Sequence, residues 1–204
     1  RCVFAGFVLV GFWQAAEMDL ALTGLSPEEM SRRATLQQLW YQFAFLAFLA
    51  AALTDFLDGW LARKLDAHSR FGVWLDPIAD KLLVAAALLG LALKFQTWLI
   101  YVPGAMIIAR DVFMTWFRAT PRGRSAIVPS NLAKWKTGFE MAAIIGLMLP
   151  LAVLRPEAGG EIATGSSVVA IVGTVAVTGL LWVAASLSWW TAGQYMHAAG
   201  RTPD

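Results

Sequence analysis

Most of the charge in this 204-residue chain lies in short gaps between long apolar runs, and that alternation limits what it can fold into. The runs are Cys2 to Ala16, Leu39 to about Asp58, Gly72 to Leu93, Trp98 to about Trp116, Thr137 to Leu154 and Ser167 to about Ser188. A helix crossing a bilayer upright needs about 20 predominantly apolar residues. Five runs approach that length, and residues upstream of Arg1 would complete the first. With 58% hydrophobic and 15% charged residues, a soluble domain of this size would lack the charge its surface requires. The expectation is an all-α, polytopic membrane protein of six transmembrane helices. Residues 1–204 read as a single membrane domain whose N-terminal segment is missing, because Arg1 runs directly into CVFAGFVLVGFW with no cleavable signal pattern.

The connections set the orientation. Glu17 to Gln38 is polar, and Ser26-Pro27-Glu28-Glu29 reads as a helix start, with Ser26 as N-cap, so a short surface helix is expected there. Gly59 to Phe71 is a short basic turn, and Pro77 falls in the opening turn of the next span. Lys94 to Thr97 is a tight connection; Arg118 to Lys136 is strongly basic and broken by Pro and Gly; Arg155 to Ser166 is Gly-rich and polar. Trp189, Trp190 and Tyr195 suit an interface level. Arg63, Lys64, Arg70, Arg118, Arg122, Arg124, Lys134 and Lys136 outweigh Arg32, Arg33, Lys94 and Arg155 on the other side, which makes the first set cytosolic. Both ends of the chain are then cytosolic as well.

Composition excludes several functions. A net charge of +2 is too small to suggest nucleic acid. A lone cysteine, Cys2, rules out an internal disulfide or a multi-cysteine metal site, and His68 and His197 are too few and too far apart for a histidine cluster.

The chemistry concentrates in TDFLDGWLARKLDAHSRFGVWLDPIADKLL. Asp55 and Asp58 are three apart, Asp76 and Asp80 four apart, so each pair shares a helix face. FAFLAFLAAALT leads into the first pair and LLVAAALLGLAL leads out of the second. As ordinary helix ends, these acids would each pair with Arg63, Lys64, Arg70 or Lys81. Four acids at these spacings, at the edge of apolar sequence, repel one another and are costly to desolvate, which calls for a hard cation: Mg²⁺, Mn²⁺ or Ca²⁺.

Asp55-x-x-Asp58-Gly59-x-x-Ala62-Arg63, eight residues, then Gly72-x-x-x-Asp76-x-x-x-Asp80 resembles the signature of the CDP-alcohol phosphatidyltransferases, with every fixed position filled. The resemblance implies a membrane enzyme with a cytosol-facing active-site cavity that moves a phosphatidyl group from CDP-diacylglycerol to an alcohol and releases CMP. It implies that Asp55, Asp58, Asp76 and Asp80 hold Mg²⁺ or Mn²⁺, as two ions, with Asp80 also the catalytic base. Asp58, Gly59, Ala62, Arg63 and Gly72 would form the CDP site. Gly59 suits close backbone approach and Arg63 a bidentate phosphate contact.

For the acceptor, Gly72-Val-Trp-Leu-Asp76-Pro77-Ile-Ala-Asp80-Lys81 looks like the form found in phosphatidylglycerophosphate and cardiolipin synthases. Ile108-Ala109-Arg110-Asp111, Arg118 and Lys134-Trp135-Lys136-Thr137 are similar to the former. Arg110, Arg118, Lys134 and Lys136 would then bind the phosphate of glycerol 3-phosphate. Read without the resemblance, the same cations are topology-setting residues. Glu140 stands where many such synthases carry Gln. The implied setting is a bacterial inner membrane, with membrane lipids and a second copy of the chain as partners.

Two other functions compete. A cardiolipin synthase would take phosphatidylglycerol as acceptor and depend less on the basic residues. A cation transporter would line an ion path with its acids, but such sites lie near the midplane, whereas these acids cluster at one face.

Overall fold

The computed structural model describes residues 1–20, 26–65, 70–120, 131–154 and 164–199. Side chains at 19–20, 55–65, 70–77, 118–119, 131–134, 136, 164–171 and 198–199 lie outside the described set. The described elements are six helices: α1 (Cys2–Leu20), α2 (Pro27–Leu65), α3 (Arg70–Phe95), α4 (Trp98–Ala119), α5 (Asn131–Val153) and α6 (Thr164–Ala199). By length and composition, α2, α4 and α6 each contain a stretch able to cross a membrane, and Cys2–Met18 and Thr137–Val153 are shorter apolar helical stretches. This is the polytopic all-α membrane architecture that the apolar runs imply.

Helix boundaries depart from the sequence reading in the polar segments. The expected surface helix and the second span are one continuous α2 of 39 residues, about 58 Å long. Its start is as anticipated. The Ser26 backbone N–H and hydroxyl both donate to Glu29 Oε2 at 3.0 Å, while the Glu29 N–H donates back to Ser26 Oγ at 3.4 Å. No proline follows Pro27 before Leu65, so nothing in the polar segment stops the helix. The basic turn shrinks too, because α2 runs through Gly59 to Leu65 and α3 opens at Arg70. Pro77 consequently stands seven residues into α3, beyond its first turn. Helix α4 passes unbroken through Arg110 and Asp111, and α5 begins at Asn131, well before Thr137. The tight connection holds: Gln96, at φ 44°, ends α3, and Thr97 caps α4 by accepting from Leu99 N–H at 3.4 Å.

Packing is close where a side chain is absent. A Cβ at Gly90 would lie 2.2 Å from the ring of Phe12, itself almost fully buried, so α1 sits directly on α3. A Cβ at Gly146 would lie 2.9 Å from Val177, joining α5 to α6. The Gln37 amide donates to Ala15 carbonyl at 3.1 Å, and the Gln42 amide to Ala152 carbonyl at 3.0 Å, tying α2 to α1 and α5. Helices α4 and α6 run parallel. Trp182 Nε1 donates to Leu99 carbonyl, and Trp189 Nε1, two turns on, donates to Met106 carbonyl, both at 3.0 Å.

Candidate active site

The two aspartate pairs ride on consecutive helices, Asp55 and Asp58 in the last third of α2, Asp76 and Asp80 in the first half of α3. The register of these helices is visible at their other end, where Lys94 Nζ lies 5.4 Å from the centre of the Tyr41 ring. Asp80 precedes Lys94 by 14 residues and Asp55 follows Tyr41 by 14. At 1.5 Å per residue, both stand about 21 Å further along their helices. Their backbones therefore share one level of the bundle.

Asp80 is the member of the quartet with a described side chain. It is half exposed and forms an ion pair with the guanidinium of Arg1, whose own side chain is largely but not fully buried. That cation comes from α1 and not from Arg63, Lys64, Arg70 or Lys81, the partners considered from sequence. Lys81, the neighbouring residue, turns to α4, donating to Asp111 carbonyl at 3.2 Å and to the Thr115 hydroxyl. Thr115 Oγ1 in turn donates to Asp111 carbonyl at 2.6 Å.

Arg110 is buried, and each of its three guanidinium nitrogens has a partner. Nε donates to Ser188 carbonyl at 3.1 Å, one terminal nitrogen to Asp111 Oδ1 at 2.9 Å, and the other to Thr191 Oγ1 at 3.4 Å. The Thr191 hydroxyl also donates to Ser188 carbonyl at 2.9 Å. A polar chain thus runs from Lys81 on α3 through Asp111 and Arg110 on α4 to Ser188 and Thr191 on α6. Arg110, expected from sequence at an acceptor phosphate, links α4 to α6 through these contacts. Glu140 is buried in α5 and has a partner of its own.

The remaining expected site residues have backbones in these helices and side chains outside the described set. These are Asp55, Asp58, Gly59, Ala62 and Arg63 in α2, Gly72 and Asp76 in α3, Arg118 in α4, and Lys134 and Lys136 in α5. Among the described residues no group of three or more His, Cys, Asp or Glu could hold a metal, as follows when Asp80 alone of the quartet is among them. Arg118, in the last turn of α4, and Lys134, in the first turns of α5, fall at the aspartate end of the bundle. Sequence reasoning missed Arg1, Ser188 and Thr191. A single basic residue opening an apolar run was the signal for Arg1; Ser and Thr in an apolar helix gave none.

The family model described as CDP-alcohol phosphatidyltransferase matches residues 21–192, most of the chain. The chain belongs to that family. Members are generally dependent on a divalent metal, and as one of them this CDP-alcohol phosphatidyltransferase is a membrane-embedded transferase of phospholipid biosynthesis. It is 38% identical over 157 residues to the CDP-diacylglycerol–glycerol-3-phosphate 3-phosphatidyltransferase of Sodalis glossinidius, a match covering 76% of each chain. The protein of the same name from Yersinia pestis is 37% identical over the same shares. The CDP-diacylglycerol–glycerol-3-phosphate 3-phosphatidyltransferase 1, chloroplastic/mitochondrial, of Arabidopsis thaliana is 41% identical over 163 residues, covering 74% of this phosphatidyltransferase. The match spans half the length of that plant relative. No solved structure matches.

Proposed function

We propose that this phosphatidyltransferase moves a phosphatidyl group from CDP-diacylglycerol to glycerol 3-phosphate, giving phosphatidylglycerol phosphate and CMP. The observation carrying this reading is 38% identity, over 76% of both chains, to an enzyme named for those two substrates. In this reading a hydroxyl oxygen of glycerol 3-phosphate bonds to the lipid-side phosphorus as the bond from that phosphorus to the CMP oxygen breaks. Asp80 takes the hydroxyl proton.

Asp55, Asp58, Asp76 and Asp80 would hold Mg²⁺ or Mn²⁺, as two ions. Four hard carboxylates on adjacent helices suit such a cation, and the Arg1 guanidinium beside Asp80 is in keeping with a site that attracts positive charge. When bound, the metal supplies neutralisation of the pyrophosphate and of the departing CMP. Asp58, Gly59, Ala62, Arg63 and Gly72 form the CDP site, where small residues admit the nucleotide and Arg63 grips a phosphate. Arg110, Arg118, Lys134 and Lys136 take the acceptor's phosphate. Arg110 also fixes α4, the helix that carries Arg118, through its contacts to α6.

In this reading the aspartate side faces the cytosol, which the excess of Lys and Arg on that side supports, the membrane is a bacterial inner membrane, and the active form is a pair of chains. Mass analysis of the lipid formed by purified protein tests the acceptor. Phosphatidylglycerol phosphate formed with glycerol 3-phosphate is the expected product; cardiolipin formed with phosphatidylglycerol would move the assignment to the lipid acceptor.

A further inference from the structure

A cavity of about 440 Å³ lies at the end of the bundle away from the aspartates, between α2, α3, α5 and α6. Lys94, in its wall, is about 21 Å along α3 from Asp80. One part of the lining is polar, with Gln38, Tyr41, Lys94 and Thr174, and another is apolar, with Leu147 and Leu151. Leu154 also lines it and is 60% exposed, so the cavity is continuous with the outer surface of the bundle.

Gln38 is the informative residue. It is 9% exposed and lines the cavity, yet its side-chain amide has no hydrogen bond to any described residue. Its neighbour Gln37, by contrast, uses its amide on Ala15 carbonyl. Among the described residues the fully buried side-chain polar atom without a partner is Ser188 Oγ, so the Gln38 amide keeps access, by way of the cavity that Gln38 lines. Beside Gln38, Lys94 holds its ammonium over the Tyr41 ring. Amide N–H, ammonium and phenol are donors, and together in one lining they suit an acceptor-rich group. The size is that of an ordinary ligand cavity.

We propose that this cavity binds the phosphate headgroup of an anionic phospholipid, with the start of one acyl chain along Leu147 and Leu151. Free phosphate would use the same donors and leave the apolar wall bare. The site is separate from the catalytic one, and the proposal rests only on the chain's being embedded in lipid.

Native mass spectrometry of the full chain in detergent tests it, in the Asp80→Asn background with chelator so that catalysis is silent. The probes are dioleoylphosphatidylglycerol, dioleoylphosphatidylcholine and inorganic phosphate. Gly173 lines the cavity, and a Cβ there meets nothing within 4 Å, so Gly173→Leu enters open space without a clash at Cβ. The expected result is retention of dioleoylphosphatidylglycerol about tenfold over the choline lipid, cut about tenfold by Gln38→Leu and by Gly173→Leu. Undiminished retention in either variant, no preference for the anionic lipid, or full displacement by inorganic phosphate would overturn the proposal. None of these results touches the transferase reading, because no turnover is measured.

Discussion

The indole N–H of Trp182 donates at 3.0 Å to the carbonyl of Leu99, four residues before Pro103. A helical proline has no N–H for the carbonyl four residues back, so Trp182 on α6 satisfies the acceptor that Pro103 leaves open on α4. Trp182→Phe should therefore cost about 1–3 kcal/mol, read as a lower melting temperature in detergent. In a Pro103→Ala background the same substitution should cost clearly less. Equal losses in both backgrounds would mean that the indole and the proline act independently.

Gly90 faces Phe12 where α1 crosses α3. Alanine gains up to about 1 kcal/mol of helix propensity over glycine, but here its Cβ meets a buried ring. Gly90→Ala should destabilise by about 1–3 kcal/mol, with recovery on adding Phe12→Leu. Gly193→Ala, with nothing within 4 Å of its Cβ, should be neutral or mildly stabilising by the same melting assay.

Arg110 and Asp111 form a pair in which both side chains are largely buried. Removing one partner of such a pair costs about 3–5 kcal/mol, because the other charge stays behind. Arg110→Met should lower the melting temperature sharply, and adding Asp111→Asn should restore part of it. If Arg110 clamps α4 to α6, the more conservative Thr191→Val should lower kcat with little change in KM for glycerol 3-phosphate. A selective rise in that KM would mean that Thr191 acts through Arg110 at the acceptor phosphate.

Much of the fold was legible because apolar runs and caps are local signals. Ser26 and Glu29 announced the start of α2, and Lys94 to Thr97 announced the turn into α4. What sequence could not supply was the outcome of competition along α2: its polar half contains no breaker, so propensity carried the helix through. The candidate site was legible as spacing, since Asp55 and Asp58 stand on α2 and Asp76 and Asp80 on α3. Their common level required the Lys94–Tyr41 contact. Arg1 at Asp80, and Ser188 and Thr191 at Arg110, are contacts between residues about 80 positions apart. No short window of sequence encodes them.

The most direct test of the central claim is CMP release by purified protein given CDP-diacylglycerol, glycerol 3-phosphate and Mg²⁺, with Asp55→Asn and Asp80→Asn alongside. Release that requires the acceptor, stops on chelation and falls by about 10²-fold or more in each variant is the predicted result. Release that survives chelation or either substitution in folded protein would contradict the four-aspartate site.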